Sequence, residues 1–158
     1  MMRPAVLSDA PMLARIHVQT WAETYPGLLP AAEIARRTYE IRLDQWVSQI
    51  NAGLTRVLLI SDLGFVQFGP QRTNEWAKLG YTEELFALYL LQSAKGQGLG
   101  RALLAAGRTQ AAFTALVIDG NTRACRFYEG TGAHLLKKYN DFIGETPVGE
   151  RVYGWVAT

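Results

Sequence analysis

Leu85-Phe-Ala-Leu-Tyr-Leu-Leu-Gln-Ser-Ala-Lys95-Gly96-Gln97-Gly98-Leu99-Gly100-Arg101-Ala-Leu-Leu104 decides the reading of this chain. Its first part is apolar at both periods of a strand, with Leu85, Ala87, Tyr89 and Leu91 on one face and Phe86, Leu88 and Leu90 on the other. That is the pattern of a central strand covered on both sides. A short polar turn follows, with Gly96, Gly98 and Gly100 at alternate positions, and then an amphipathic helix with Leu99, Ala102, Leu103 and Ala106 on its apolar side. A strand that feeds a glycine turn at a helix N-terminus is a place to hold an anion. Residues without side chains let amides approach the ligand, and the helix dipole favours negative charge there. A phosphate or pyrophosphate suits such a site.

Working outward, residues 2–7 read as a first strand. Ser8 or Asp9 caps a helix running to about Glu23, with Pro11 in its first turn. Pro26-Gly27 ends it, a short helical stretch begins at Pro30, and a further helix covers Tyr39–Asn51. Thr55–Ser61 and Phe65–Phe68 read as strands, 69–82 as a loop, and Glu84–Leu91 as the central strand. The helix after the glycine turn is expected over Gly98–Ala112. It is followed by a strand at Thr114–Ile118, a helix at Asn121–Gly130 capped by Asn121, and strands at His134–Phe142 and Val148–Trp155. The order β-α-α-β-β-β-α-β-α-β-β predicts one three-layer α/β sheet.

Composition narrows the function classes. A chain of 158 residues suits one domain with a proper core. A net charge of +2 is too small to argue for nucleic acid or an acidic membrane surface. The single cysteine, Cys125, excludes a disulfide framework and a thiolate zinc cluster, which points to a reducing, cytoplasmic setting. The N-terminus lacks the long apolar stretch of a signal peptide, and no stretch elsewhere reaches membrane-spanning length without charges. His17 and His134 lie far apart, so no metal is expected.

Several chemistries use glycine turns. A P-loop would need Gly-x-x-x-x-Gly-Lys-Ser/Thr, which is absent. A dinucleotide site wants Gly-x-Gly-x-x-Gly. The third position is Leu103 counted from Gly98 and Gly100, or Arg101 counted from Gly96 and Gly98. Asp119 lies near the distance of a ribose-binding acid, which keeps that reading open. The three strands and several helices that precede the turn argue against repeated βαβ units. A third reading is that the glycines only make a tight strand-to-helix turn.

At this point the residues resemble the GNAT superfamily of N-acetyltransferases. Its central motif, Arg/Gln-x-x-Gly-x-Gly/Ala, is matched by Lys95-Gly96-Gln97-Gly98-Leu99-Gly100. Its second element, a strand, an Asn and a helix bearing Phe-Tyr-Glu and a glycine, is matched by Leu116-Val-Ile-Asp-Gly-Asn121-Thr-Arg-Ala-Cys-Arg-Phe127-Tyr128-Glu129-Gly-Thr-Gly132. The N-terminal Ile16-His-Val-Gln-Thr-Trp21-Ala-Glu-Thr-Tyr25-Pro-Gly27-Leu-Leu-Pro30 looks like one bacterial branch of that superfamily. The departures are Lys95 for Arg or Gln, Gln92 for a common proline, Thr131 for an aliphatic and Ala133 for an aromatic. The resemblance implies a single GNAT-type domain over 1–158: three layers, a mixed, mostly antiparallel central sheet flanked by helices, and a splay between the fourth and fifth strands.

It also implies an activity, the transfer of an acetyl group from acetyl-CoA to a primary amine by direct transfer in a ternary complex. Lys95 and the backbone of Gly96, Gln97, Gly98, Leu99, Gly100 and Arg101 would hold the CoA pyrophosphate. The strand edge after Tyr89 or Leu90 would take the pantetheine arm as an added strand. The amide of Leu90 or Leu91 would donate to the developing oxyanion. Tyr128 would be the general acid toward the CoA thiolate, and Asn121 would cap its helix and touch the cofactor arm. Glu84 is the expected base. Trp21, Tyr25 and Trp76 are expected to wall the acceptor pocket. The acceptor would be a small-molecule or protein amine, and a homodimer paired through the C-terminal strands is left open. A rival from another class is a catalytically silent CoA-binding sensor or interaction module.

Overall fold

The strands assemble into one seven-stranded sheet in the order β1-β2-β3-β4-β5-β7-β6. They are β1 (Met2–Pro4), β2 (Arg56–Ile60), β3 (Gly64–Pro70), β4 (Glu83–Leu90), β5 (Phe113–Ile118), β6 (His134–Ile143) and β7 (Thr146–Trp155). The computed structural model describes residues 1–158. Every neighbouring pair is antiparallel except β4–β5, so the sheet is mixed and mostly antiparallel. The helices are α1 (Ala10–Thr24), α2 (Ala31–Ala35), α3 (Tyr39–Ala52), α4 (Asn74–Lys78), α5 (Leu99–Gly107) and α6 (Thr122–Gly130).

The layers follow from which side chains each element buries. Leu13, Ala14 and Ile16 of α1 and Trp46 of α3 pack on Leu59 and Phe65 on one face of the sheet. Leu103 and Leu104 of α5 and Cys125 and Tyr128 of α6 pack on Phe68, Leu85, Phe113, Tyr153 and Trp155 on the other. Local chemistry fixes the ends. Thr38 Oγ1 accepts from the Ile41 amide at 3.3 Å to open α3, and Gly53, at φ +66°, closes it. Asn121 Oδ1 accepts from the Ala124 amide at 3.2 Å and opens α6. Asp9 precedes α1 without capping it. Its carboxylate accepts from Arg3 Nη1 and Nη2, each at 2.7 Å, and from the Val6 amide at 2.8 Å, tying β1 to a 3-10 turn at Leu7–Asp9. The first strand therefore stops at Pro4, short of the expected residue 7.

Three further readings are corrected. The segment 69–82 contains α4, not only loop. The helix after the glycine turn ends at Gly107 instead of Ala112. Arg56 takes its last carbonyl, with Nη2 at 3.0 Å from Gly107 O, and a Cβ at Gly107 would meet Phe68 at 2.9 Å. The faces of the central strand are also mixed. Phe68 pairs with Leu85 and Gln67 with Ala87, so Phe86 is an extra residue that breaks the alternation. Leu85 consequently shares its face with Leu88 and Leu90, while Ala87, Tyr89 and Leu91 pack toward α1 and α3.

Candidate active site

The bulge at Phe86 sits where the sheet opens. β4 and β5 pair only at Glu83–Phe113, Glu84–Thr114 and Leu85–Ala115, and not beyond. On the other side β4 stays paired with β3 to its end. The Leu91 amide donates to Leu63 O at 2.8 Å, and Gly64 lies opposite Leu90. Hydrogen-bonded and non-bonded pairs alternate along antiparallel strands. The N–H and C=O groups of Leu88 and Leu90 therefore point away from β3, into the gap left by β5. Between the two strands lies a cleft of about 660 Å³, within the range of small-molecule sites.

One end of the cleft is the glycine turn. Gly96 and Gly98 hold φ +80° and +79°, the left-handed region that suits glycine. Gly100 serves another need, because a Cβ there would already touch Phe127 and Leu90 at 3.4 and 3.5 Å. No backbone carbonyl takes the amides of Gly96, Gln97 or Gly98, and the first amide to bond back is that of Ala102, to Gly98 O at 3.1 Å. Lys95, Arg101 and Arg123 line the same end. Burial and the neighbouring Arg123 lower the Lys95 pKa from its ordinary value, against a smaller opposing effect of Glu23. The Gln92 amide donates to Glu23 Oε1 at 3.1 Å, joining the turn to the end of α1.

The other end is built from α1, α6 and the C-terminal strands. Tyr128 of α6 lines the cleft at 8% exposure, its ring edge-on to Trp155 with centroids 5.2 Å apart. Its hydroxyl has no protein partner, and burial, followed by the nearby Tyr89 and Cys125, pushes its pKa well above the ordinary phenol value. Trp21, Tyr25 and Tyr89 form the facing wall, with the Tyr25 and Tyr89 hydroxyls 3.1 Å apart. Arg37 and Arg42 stack on Trp21 at 4.8 and 4.6 Å from its ring centroid. Arg42 is itself buried, with Nε and Nη2 unpaired, and burial lowers its pKa to about 10. Ile143 and Glu150 close this end.

The structure thus brings together Trp21, Tyr25, Leu90, Lys95, Gly96, Gly98, Leu99, Gly100, Arg101, Asn121 and Tyr128 around one cleft. Gln97 belongs to the turn but does not line it. Three expectations are corrected by placement. Glu84 is gripped by Arg72, with Nη2–Oε2 2.6 Å, Nε–Oε1 3.1 Å and the Arg72 amide 3.3 Å from Oε1, and it does not reach the cleft. Trp76 is buried in α4, away from the cleft wall. The Leu91 amide is committed to Leu63, which leaves Leu90 as the amide directed into the gap. Tyr89, Arg123 and Glu150 were not singled out from the sequence. Glu150 had a legible signal, since it is the one charge in the alternating row Val148, Glu150, Val152.

Comparison with known proteins identifies the family of this arrangement, a sheet that opens beside a glycine turn. Residues 62–140 match the family model for FR47-like proteins. The uncharacterized N-acetyltransferase YuaI of Bacillus subtilis (strain 168) is 32% identical over 164 residues, covering 97% of this chain and 91% of YuaI. Two solved structures share the fold. The ribosomal-protein-alanine N-acetyltransferase of Brucella melitensis has a TM-score of 0.70 at 21% identity, covering 99% of each chain. The PaiA N-acetyltransferase of Thermoplasma acidophilum, solved with coenzyme A, has a TM-score of 0.67 at 19% identity, covering 95% of this chain and 96% of its own. The chain belongs to the FR47-like family of the GNAT N-acetyltransferase superfamily. No helix is long and apolar enough to cross a membrane.

Proposed function

We propose that this chain moves an acetyl group from acetyl-CoA to a primary amine, directly and within a ternary complex. One observation carries the reading. The unpaired edge of β4, the partnerless amides of the glycine turn and the Tyr128 hydroxyl all meet in one cleft. Each matches one demand of the reaction.

The residues fit the cofactor's parts. The amides of Gly96, Gln97 and Gly98, with those of the first turn of α5, suit a pyrophosphate, and Lys95, Arg101 and Arg123 supply matching charge. A Cβ at Gly98 would meet nothing within 4 Å, so the space beside that turn is open for a phosphate. The N–H and C=O groups of Leu88 and Leu90 offer the pantetheine arm the pairing a strand would make. Asn121, beside them, caps α6 and lies within reach of the same arm. Acetyl-CoA would supply an activated acyl carbon as a thioester.

The chain's own groups would do the rest. The Leu90 amide donates to the carbonyl oxygen as negative charge builds, a contribution of about 3 kcal/mol for a well-placed donor. Tyr128 enters the reaction protonated, because burial raises its pKa, and gives its proton to the departing sulfur. Trp21 and Tyr25 hold the acceptor's carbon skeleton.

The test is a melting-temperature shift with CoA and with NAD, followed by CoA-thiol release across a broad library of small-molecule and peptide amines. Stabilisation by CoA alone, with turnover of at least one amine, is expected. Stabilisation by NAD instead would overturn the site assignment. CoA binding without turnover of any amine would make this a silent binding module.

A further inference from the structure

The charged side chains of the cleft are sorted by sign. Lys95, Arg101 and Arg123 stand at the glycine-turn end, and Glu150 is the single acid in the lining. Glu150 is 6% exposed and sits on β7, opposite Ile118 of β5 and Tyr139 of β6. Two residues earlier on the same face, Val148 packs against Tyr25 and Leu29, so Glu150 lies beneath the wall assigned to the acceptor. No cation pairs with it. The adjacent Arg151 faces the other way and serves Asp119 and Tyr153. A buried carboxylate without a cation is costly to a fold, and such groups persist where a ligand completes them.

Of the other titratable groups near the acceptor wall, Arg37 and Arg42 are cations stacked on Trp21, and those able to take a proton are already committed. Glu84 is held by Arg72 outside the cleft. His17 is buried, and its Nδ1 accepts from Trp46 Nε1 at 3.2 Å. The Tyr25 and Tyr89 hydroxyls are engaged with each other.

We propose that Glu150 receives the acceptor's ammonium group and takes its proton, acting as the general base and selecting cationic amines. This rests on the reading of the cleft as an acetyl-transfer site. An ammonium ion has no lone pair and cannot attack. Its N–H proton passes to a Glu150 oxygen, and the freed pair forms the C–N bond to the thioester carbon. The C–S pair leaves with sulfur, which takes the Tyr128 proton, and the second proton that the nitrogen sheds on becoming an amide restores the Tyr128 hydroxyl. Glu150 then returns its proton to solvent, so one ammonium and one thioester give one amide, one thiol and one proton. The groups facing Glu150 suit this role. Tyr139 and Asp141 approach from β6, Ile118 lies opposite on β5, and Tyr25 of the covering segment packs beside it on Val148. Burial and the Asp141 charge raise the Glu150 pKa against a smaller lowering by the Tyr139 hydroxyl, and the net rise brings it nearer to that of an amine.

The test compares the unaltered chain with Glu150→Gln and Glu150→Asp, using the amine that gives the most thiol release in the library. Glu150→Gln is expected to bind acetyl-CoA as the unaltered chain does. Calorimetry at neutral pH should show the amine bound about tenfold more weakly, the loss of one charge-assisted contact. Its kcat/KM should fall by about 10²- to 10⁴-fold. The deficit should shrink as pH climbs toward the amine's own pKa, because solution then supplies free amine, and Glu150→Asp should recover part of the rate. A merely structural role would depress the rate equally at every pH. Unchanged kcat/KM and pH profile in Glu150→Gln would overturn the proposal, as would a parallel loss of acetyl-CoA binding in both variants. If the unaltered chain acetylates no amine at all, the reading of the cleft fails first and this assignment falls with it.

Discussion

Replacing Tyr128 with Phe separates chemistry from packing in this cleft. The ring is held edge-on to Trp155 at 5.2 Å and beside Tyr153 at 6.1 Å, contacts that phenylalanine keeps. The hydroxyl has no protein hydrogen bond to lose, so stability should change by less than about 0.5 kcal/mol. What disappears is the transferable proton. Loss of a positioned acid lowers a rate by about 10²- to 10⁴-fold, which is about 3–5 kcal/mol of barrier. Because burial raises the Tyr128 pKa above the ordinary value near 10, the acid stays protonated throughout the neutral range. The unaltered enzyme should therefore show no basic limb from this group below about pH 10. The assay is steady-state thiol release at saturating amine, with calorimetric titration of acetyl-CoA and a melting curve as controls. The deficit should shrink with an acyl donor whose leaving thiol is more acidic, since that thiolate needs less help. A Tyr128→Phe enzyme with near-normal kcat would refute the assignment, and so would a deficit indifferent to thiol acidity.

Gly98→Val should lower the melting temperature slightly, because a β-branched residue is strained at φ +79°, and should weaken acetyl-CoA binding by about tenfold or more. Lys95→Ala should weaken it less, as partly exposed ion pairs contribute little, and calorimetric titration of both variants distinguishes a phosphate cradle from a purely structural turn. Trp21→Ala and Tyr25→Ala should raise KM for the amine more than for acetyl-CoA. Trp76→Ala should instead cost about 3–5 kcal/mol of stability and leave the amine KM alone, which denaturant melts and initial rates on the same samples will check. His17 is held neutral in the fold, its pKa pushed down to about 3 by burial and then by Arg42 and Arg37, against about 6.5 when unfolded. Between those values the unfolded chain binds the extra proton, so stability is complete above about pH 6.5 and declines as pH falls toward 3. Urea midpoints across that window should show a shallower slope in His17→Gln, and an unchanged slope would contradict the assignment.

What was legible in the sequence had a local cause. Gly96 and Gly98 announce a turn because only glycine sits comfortably at their positive φ, and Asn121 announces a helix start because its side chain caps the third amide onward. Apolar periodicity placed Leu103 on the buried side of its helix without help from any partner. The misplaced residues all depend on who stands across from them. Glu83 and Glu84 are adjacent and chemically alike, yet Arg56 engages Glu83 while Arg72 engages Glu84. Neither pairing has a local signature, so either carboxylate could be read as the free one. Trp76 looks like a loop aromatic until α4 folds and buries it. Glu150 could have been found by asking why a charge interrupts an inward-facing row.

The bulge at Phe86 ties these outcomes together. One extra residue in β4 turns Leu85 to the face of Leu88 and Leu90, which is why strict alternation assigns the strand wrongly. The same residue lies one step past Leu85, the last residue of β4 that pairs with β5. A bulge bends and twists its strand, so the rest of β4 leaves its parallel neighbour while keeping its antiparallel one. That asymmetry leaves the Leu88 and Leu90 amides unpaired on the cleft side, while those of the alternate residues Tyr89 and Leu91 are directed toward β3. It also sends the chain into the glycine turn at the mouth of the gap, so that the anion cradle and the open edge are continuous. A uniformly alternating β4 would pair with β5 along its length, bury the Leu90 amide in a ladder and leave Tyr128 packed against a closed sheet. The departure from period two is therefore the step by which this sequence turns an ordinary mixed sheet into a site.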